Sequence, residues 1–139
     1  MTAPHRWPIR VYYEDTDLAG LVYYANYLKF IERARAEMGR EAGVDQAAMK
    51  AEGLVFAVTR VEADYLSPAR YDDELIVETV VSRVTPVRFV MQQTVLRGDR
   101  TLFRADVTIA CLGTDGRAQR LPELIEGMRP ETAATFTAS

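Results

Sequence analysis

The chain has 139 residues, 48% of them hydrophobic, and a formal net charge of −3. This length fits one domain, residues 1–139, that needs no disulfide or metal to fold, and the slightly acidic balance argues against a nucleic-acid-binding protein. No apolar run reaches the roughly 20 residues that insert in a membrane, the amino terminus has no secretory signal, and the single Cys111 suits a reducing compartment, so we expect a cytoplasmic protein.

A strand, a loop and a long helix are predicted in the first third of the chain. Residues 6–13 are rich in β-branched and aromatic side chains, which predicts a strand. The polar loop after it closes at Gly20, where a positive φ is expected. Over residues 24–43 the apolar residues recur on one helical face. They are Tyr27, Phe30, Ile31, Ala34 and Met38. Glu32 and Arg35 lie three residues apart and can pair weakly along the helix surface.

The rest of the chain predicts a sheet. Residues 45–52 add one or two helical turns, and a short final helix is expected to start at 121–123. Between them lie four predicted strands, at 54–65, 75–84, 89–96 and 102–112. Because these strands follow one another without crossover helices, the sheet should be mostly antiparallel. A sheet curled round the long helix would bury the apolar helix face, which gives an α+β fold.

The stretch 11–37 carries the candidate chemistry. It reads VYYEDTDLAGLVYYANYLKFIERARAE, so Asp15 and Asp17 lie in a loop just before the helix start near Tyr24. Unpaired N–H groups and the helix dipole make such a helix end partly positive, which suits an oxyanion. A carboxylate a few residues upstream could attack a carbonyl held there or activate a water. An aspartate in this position is more often a helix cap or a turn residue, and that alternative stays open.

This stretch resembles the signature of hotdog-fold thioesterases of the 4-hydroxybenzoyl-CoA type, and in particular of the Tol-Pal-associated (YbgC-type) acyl-CoA thioesterases. The matching pattern is YYEDTD, AG, VYY, NY and ERAR, and later segments resembling the family are Asp64-Tyr65, Pro68-Ala69-Arg70, Asp72-Asp73 and Arg120-Leu121-Pro122. The likeness spans nearly the whole chain. It implies a hotdog fold, with an antiparallel sheet wrapped around one long central helix. It also implies hydrolysis of acyl-CoA thioesters to the free acid and CoA, with no cofactor and no metal.

The resemblance assigns roles to individual residues. The family's catalytic carboxylate falls on Asp17, as nucleophile or as general base, and its oxyanion-binding backbone N–H falls on Tyr24. Many YbgC-type proteins have histidine at this second position, so a role that needs that histidine is not transferred here. Asp15 is interpreted as a loop-ordering residue. The implied substrate-binding positions are Gly20, Asn26, Arg83 and Arg88.

Further candidates for substrate contacts follow from the chemistry of CoA. Its phosphates call for basic side chains, and arginine donates paired hydrogen bonds to phosphate. Besides Arg83 and Arg88, which flank a turn where the hydroxybenzoyl-CoA enzymes carry a basic run, Arg60 and Arg70 are candidates. Phe56 and the apolar helix face are expected to line an acyl pocket. The substrate is an acyl-CoA or an acyl group on an acyl-carrier protein, and the acyl chain length is left open.

Assembly and alternative functions complete the expectations. The resemblance implies a homo-oligomer, a dimer or a tetramer with the tetramer favoured, in which two sheets join edge to edge and remove an exposed strand edge. A hotdog dehydratase is disfavoured because that chemistry uses a histidine, and His5 is expected at a frayed, exposed terminus. A non-catalytic module that holds an acyl-carrier protein or a cell-envelope partner stays open, although the intact Asp17 motif argues against it. A generic α+β interaction domain would require an accidental match to the motif, which the length of the motif argues against.

Overall fold

The elements follow the predicted order from the first strand to the last helix. The computed structural model describes residues 3–129. The two ends of the predicted domain, residues 1–2 and 130–139, lie outside the described residues. The strands are β1 His5–Arg10, β2 Val55–Tyr65, β3 Glu74–Val84, β4 Arg88–Arg97 and β5 Arg100–Leu112. The helices are α1 Asn26–Ala42, α2 Gln46–Ala51 and α3 Glu123–Glu126. The first strand is shorter than predicted because Tyr13–Asp15 form a 3₁₀ turn.

The strands make one antiparallel sheet in the order β1-β3-β4-β5-β2. Strands β4 and β5 form a hairpin, because Arg97 and Arg100 pair across a two-residue turn in which Gly98 has a φ of 62°. Such a turn needs the left-handed region that glycine reaches without strain. Strands β1 and β2 are the two edges. The predicted α+β class and antiparallel pairing are confirmed.

The core lies between α1 and the concave face of the sheet. Tyr27, Phe30, Ile31 and Ala34 of α1 are buried, and Met38 packs beside them, as the helical period predicted. The alternation in β5 is also confirmed, since its buried inward residues are Phe103, Ala105, Val107, Ile109 and Cys111. Burying each large apolar side chain stabilises the fold by about 1.5–3 kcal/mol before the entropy of ordering is subtracted. Gly43 ends α1 with a φ of 91°, a left-handed cap.

His5 is not at a frayed terminus, and that expectation was wrong. It is the first residue of β1, and its Nε2 lies 3.0 Å from Oε1 of Glu41, near the end of α1. Its ring stacks on Trp7 with the centroids 6.4 Å apart and the planes 10° from parallel. The sequence suggested exposure because His5 stands close to the chain start, whereas β1 pairs along its whole length with β3.

Strand β2 is hydrogen-bonded to the rest of the sheet on one side alone, through β5. Its apolar side chains are left open in the single chain: Val55, Val58, Val61 and Tyr65 are 42%, 49%, 38% and 48% exposed. Val58 and Val61 are in register with the buried Ile109 and Val107 of β5, so they point to the same concave side as the core. This edge therefore presents apolar surface beside the open flank of α1.

Candidate active site

Asp15 orders the loop between β1 and α1, in keeping with its interpretation from the sequence. It is buried, and its Oδ2 accepts a hydrogen bond from the N–H of Tyr12 at 2.8 Å. Its carbonyl oxygen accepts two more at 2.9 Å, from the N–H of Tyr23 and from the side-chain amide of Asn26. Asp15 therefore joins the loop to the first residue of α1. The amide of Asn26, which the resemblance assigned to substrate binding, is used inside this loop.

Asp17 closes a tight turn of its own. Its Oδ1 accepts hydrogen bonds from the N–H groups of Ala19 at 2.9 Å and Leu21 at 3.2 Å. Its own N–H donates to the Leu21 carbonyl at 2.8 Å, and Gly20, with a φ of 80°, donates to the Asp17 carbonyl at 2.9 Å. The positive φ at Gly20 is confirmed, and Asp17 is a turn residue, as the alternative stated. The side chain is exposed, and among residues 3–129 no donor reaches its Oδ2, so that oxygen is open to a ligand.

The amino end of α1 presents N–H groups that nothing in the described part of the chain accepts. Ala25, the residue before the helix, already has helical angles, with a φ of −70° and a ψ of −19°, and provides no side-chain cap. The N–H groups of Tyr24 and Ala25 have no acceptor among residues 3–129. A β-bridge between Thr16 and Val22 ties the strand side of the Asp17 turn to the segment that enters the helix. A positive helix end with free N–H groups is suited to an oxyanion.

Tyr65 is a residue of this region to which the sequence assigned no role. Its hydroxyl donates a hydrogen bond to the carbonyl oxygen of Tyr24 at 3.0 Å, so the last residue of β2 holds the entry to α1. Its ring lies against Tyr24, Tyr27 and Phe103 at centroid distances of 6.2, 5.6 and 4.9 Å. Burial raises the pKa of Tyr65, and the neighbouring Tyr24 and Tyr27 raise it further. The hydroxyl therefore stays protonated and donating at neutral pH.

The motif Asp64-Tyr65 was the signal that could have revealed this contact. It was noted as a match to the family, but a single sequence does not show that the end of β2 lies against the start of α1. Tyr27 has a comparable structural role, since its hydroxyl accepts the N–H of Ala69 at 3.0 Å. Burial is the main cause that raises the pKa of Tyr27.

The two arginines assigned to CoA lie at the other end of the sheet. Arg88 begins β4 and, through β5, lies in the same row as Ala57 near the start of β2. Tyr65 is eight residues further along β2 (65 − 57), which is roughly 26 Å at about 3.3 Å per residue. Arg83 pairs with the second residue after Arg88 and lies at the same far end. One chain therefore does not bring these arginines to the Asp17 turn.

The other two arginine candidates differ in position. The backbone of Arg70 forms a bridge with Leu21, beside the Asp17 turn, and its side chain is exposed. Arg60 lies on β2 and pairs with Glu62, with Nη2 and Oε2 2.7 Å apart. A single chain thus offers Arg70 to an anion near the turn. Phe56, expected in an acyl pocket, lines a cavity of about 200 Å³ beside the second half of α1.

Two further features are absent from residues 3–129: a cluster of metal-ligating residues and a helix able to cross a membrane. No group of three or more His, Cys, Asp or Glu residues there could hold a metal ion. None of the helices in that range is both long and apolar enough to cross a bilayer.

The chain is similar to known thioesterases in its family match, its sequence and its structure. The family described as the thioesterase-like superfamily matches residues 11–134. The chain is 41% identical over 112 residues to the acyl-CoA thioester hydrolase YbgC of Escherichia coli O6:H1, across 80% of this chain and 84% of that protein. It is 42% identical over 107 residues to the acyl-CoA thioesterase YbgC of Haemophilus influenzae, across 76% and 79%.

A solved structure agrees with these sequence matches. The crystal structure of a probable thioesterase from Bartonella henselae superposes with a TM-score of 0.81 at 39% identity, and the match covers 86% of this chain and 100% of that one. The five-stranded antiparallel sheet with its long helix is the fold of these thioesterases. The hotdog fold expected from the resemblance is confirmed.

Proposed function

We propose that this chain, which belongs to the thioesterase-like superfamily, is an acyl-CoA thioesterase whose chemistry takes place between the Asp17 turn and the amino end of α1. The substrate class follows from the names of the YbgC relatives, at 41% and 42% identity. One observation supports the location: the open Oδ2 of Asp17 and the unaccepted N–H groups of Tyr24 and Ala25 belong to two segments that Asp15 ties together.

The proposed reaction uses the two groups in complementary ways. The thioester carbonyl oxygen would accept hydrogen bonds from the helix end, where negative charge develops as the carbonyl carbon becomes tetrahedral. A donor of this kind stabilises the transition state by about 3 kcal/mol. Asp17 would either attack the carbonyl carbon and form an anhydride, or take a proton from the attacking water. In both routes the C–S bond breaks and CoA leaves as a thiolate that takes up a proton. In the general-base route the attacking water supplies the new oxygen of the free acid. In the anhydride route a water then cleaves the anhydride, and attack at the aspartyl carbonyl carbon leaves the water oxygen in the Asp17 carboxylate.

The fixed geometry of Asp17 favours this role. With Oδ1 held by the N–H groups of Ala19 and Leu21, the carboxylate does not rotate freely, and Oδ2 keeps one direction. A catalytic group that is already oriented loses less entropy in the transition state. The turn bonds that identify Asp17 as a structural residue are therefore compatible with a catalytic one.

Binding of CoA by Arg83 and Arg88 would require a second copy of the chain. If two β2 strands pair antiparallel about their middle residue, 60, then Val55 of one chain lies opposite the partner subunit's Tyr65. The row that contains Arg88 then comes to the Asp17 turn of the other chain, and Arg83 comes with it. This arrangement also covers the exposed apolar side of β2. We propose a dimer of this kind. For a homotetramer, the half-buried Val80 and Val90 on the outer sheet face are the candidates for a second contact.

The test of the reaction compares two aspartates that hold turns in the same way. Asp115 is an exposed turn residue whose Oδ1 accepts the N–H of Arg117 at 2.9 Å, and it serves as the matched control. Thiol release should be measured with short, long and aromatic acyl-CoAs and with an acyl-carrier-protein thioester. Asp17→Asn should lower kcat by about 10²–10⁴-fold without loss of fold, whereas Asp115→Asn should keep the parent rate.

Two outcomes would contradict the proposal. Parent-level turnover by Asp17→Asn would remove Asp17 from the chemistry. Absence of turnover by the parent protein on every thioester, with tight binding retained, would favour the non-catalytic acyl-binding module. A single turnover in ¹⁸O-labelled water bears on the two routes, because label enters the Asp17 carboxylate only when water cleaves an anhydride at the aspartyl carbonyl, and general-base catalysis leaves Asp17 unlabelled.

A further inference from the structure

A cavity of about 200 Å³ lies between the second half of α1 and the concave sheet face, on the flank left open at β2. Most of its wall is apolar, and it includes Met38, Phe56, Phe89, Met91, Ile109 and Met128. Flexible methionine side chains adapt to ligands of different shape. Two charged residues, Glu32 and Arg35 of α1, also line it. An arginine in the wall of an apolar cavity requires an explanation, because burying a charge without a partner is unfavourable.

Arg35 is held by a buried glutamine. Its Nη1 donates to Oε1 of Gln93 at 2.9 Å. Gln93 is 0% exposed, and its Nε2 donates to the Ile31 carbonyl at 2.9 Å and to Oγ1 of Thr79 at 3.0 Å. These two acceptors fix which end of the amide carries the nitrogen, so Oε1 is committed to Arg35. The guanidinium is therefore anchored to the core of the protein.

The charge of Arg35 has no counter-ion in the described part of the chain. The pair with Glu32 that helical spacing allowed is not formed, because no carboxylate oxygen of residues 3–129 lies within 4.0 Å of the Arg35 guanidinium. Burial lowers the pKa of Arg35, and the more distant Glu32 offsets this only in part. A guanidinium has five N–H donors, and the one bond to neutral Gln93 leaves the others for a ligand. Such a group binds a carboxylate through two parallel hydrogen bonds.

We infer that this cavity receives the acyl part of the substrate and that Arg35, positioned by Gln93, selects acyl groups that end in a carboxylate. This inference rests on the proposed function for the identity of the ligand. The apolar wall would hold the methylene chain, and the guanidinium would pair with the terminal anion. Glu32 shares the cavity wall, and its negative charge would repel the terminal carboxylate. It therefore reduces the preference for carboxylate-ended over methyl-ended acyl groups.

The test measures binding without turnover, so that it stays valid whatever the role of Asp17. The ligands are thioether analogues of CoA in pairs of equal length, which differ only in a methyl or a carboxylate at the far end. Three lengths are used, matched to butyryl and succinyl, hexanoyl and adipoyl, and octanoyl and suberoyl. Calorimetry gives the ratio of the two dissociation constants for each pair.

In the parent protein, the carboxylated analogue should bind more tightly than its methyl-ended partner at one length or more. Arg35→Met, which keeps the side-chain length without the charge, should reduce that ratio about tenfold or more. Arg35→Lys should keep part of the ratio, and the matched variant Glu32→Gln should increase it.

The inference is overturned if the parent prefers the methyl-ended analogue at every length, or if Arg35→Met leaves every ratio unchanged. It is also overturned if Arg35→Met instead dissociates the oligomer, because Arg35 would then pair with a carboxylate of the partner subunit. Tight binding of both analogues with no hydrolysis of the matching thioesters would contradict the proposed function and leave the selectivity of Arg35 intact.

Discussion

The two edges of the sheet are built differently. Strand β1 has six residues, includes Pro8, and carries Arg6 and Arg10 in ion pairs with acidic side chains of its own sheet region. Strand β2 has eleven residues, no proline, and an apolar concave side that is open in the single chain. Short, charged, proline-containing edges resist pairing with other chains, and long apolar edges favour it.

The candidate site lies beside the open edge, β2, and not beside the protected edge, β1. The last residue of the open strand, Tyr65, bonds to the carbonyl of Tyr24, and the cavity beside Arg35 opens on the same flank. The protected edge instead supports the far side of the helix, where His5 meets Glu41. The exposed apolar side of β2 therefore lies beside the candidate active site and the cavity that contains Arg35. A partner at β2 would therefore complete the fold and the site together.

Among changes at the two edges, the largest expected effect comes from placing a charge on the open edge. Val61 is in register with the buried Val107, so Val61→Lys puts an ammonium group on the side that the proposed dimer covers. Its desolvation should weaken association by about 2 kcal/mol or more, which is about 30-fold in the dissociation constant. Activity should fall with it, because CoA binding is proposed to use the partner subunit. Analytical ultracentrifugation over a range of concentrations measures the first effect, and thiol release measures the second.

Pro8→Lys is the matched change on the protected edge, where Pro8 is exposed. It should leave both the assembly and the turnover at parent values. If Pro8→Lys dissociated the oligomer and Val61→Lys did not, the assignment of the two edges would have to be reversed.

A smaller effect is expected at the end of the open strand. Tyr65→Phe removes the hydrogen bond to the Tyr24 carbonyl, which is worth about 1 kcal/mol, and should lower kcat about fivefold with little change in KM. Because burial raises the pKa of Tyr65, the hydroxyl is protonated in both neutral and mildly alkaline assays, and the loss should not vary with pH over that range.

Tyr23→Phe is the control for Tyr65→Phe. Tyr23 precedes Tyr24, and among residues 3–129 its hydroxyl makes no hydrogen bond to the protein. Equal losses in the two variants would mean that the contact to Tyr24 does not position the helix end. Circular dichroism should show the parent fold in both.

The smallest effect is expected at the protected edge. Arg10 pairs with Oδ1 of Asp72 at 3.1 Å and Oε2 of Glu74 at 3.0 Å, all on the surface. The hydrogen bond and charge of Glu74, followed by those of Asp72, raise the pKa of Arg10. A basic group whose pKa is raised on folding stabilises the fold at every pH below its pKa in the unfolded chain. That stabilisation is lost only above its pKa in the folded chain, which for an arginine is beyond ordinary assay pH. Arg10→Ala should therefore leave Tm nearly unchanged from pH 6 to 9 and insensitive to salt. A large drop in Tm would show that the pairs hold β1 in place.

Much of the fold could be predicted from the sequence because the period of apolar residues records burial directly. The helical stripe of α1 and the alternation in β5 gave elements that differ from the observed ones by a few residues. Asp15 and Gly20 could be interpreted for a similar reason, since loop carboxylates and positive φ angles are local requirements. The family likeness then supplied the topology that periodicity alone leaves open.

The parts that were missed depend on contacts between distant segments. The bond from Tyr65 to Tyr24 joins residues 41 positions apart, and the bond from Arg35 to Gln93 joins residues 58 apart. Helical spacing favoured Glu32 as the partner of Arg35, but that rule describes exposed side chains and Arg35 is half-buried. Arg83 and Arg88 were grouped with Asp17 because a sequence does not show that one chain holds them at opposite ends of a strand.

Trp7 is the one indole of the sequence, and it is stacked on His5. The tryptophan fluorescence of the protein therefore originates at β1 and reports whether that strand is docked on the end of α1. A change at the β2 edge would need a second fluorescent group introduced there, because Trp7 lies on the opposite edge of the sheet.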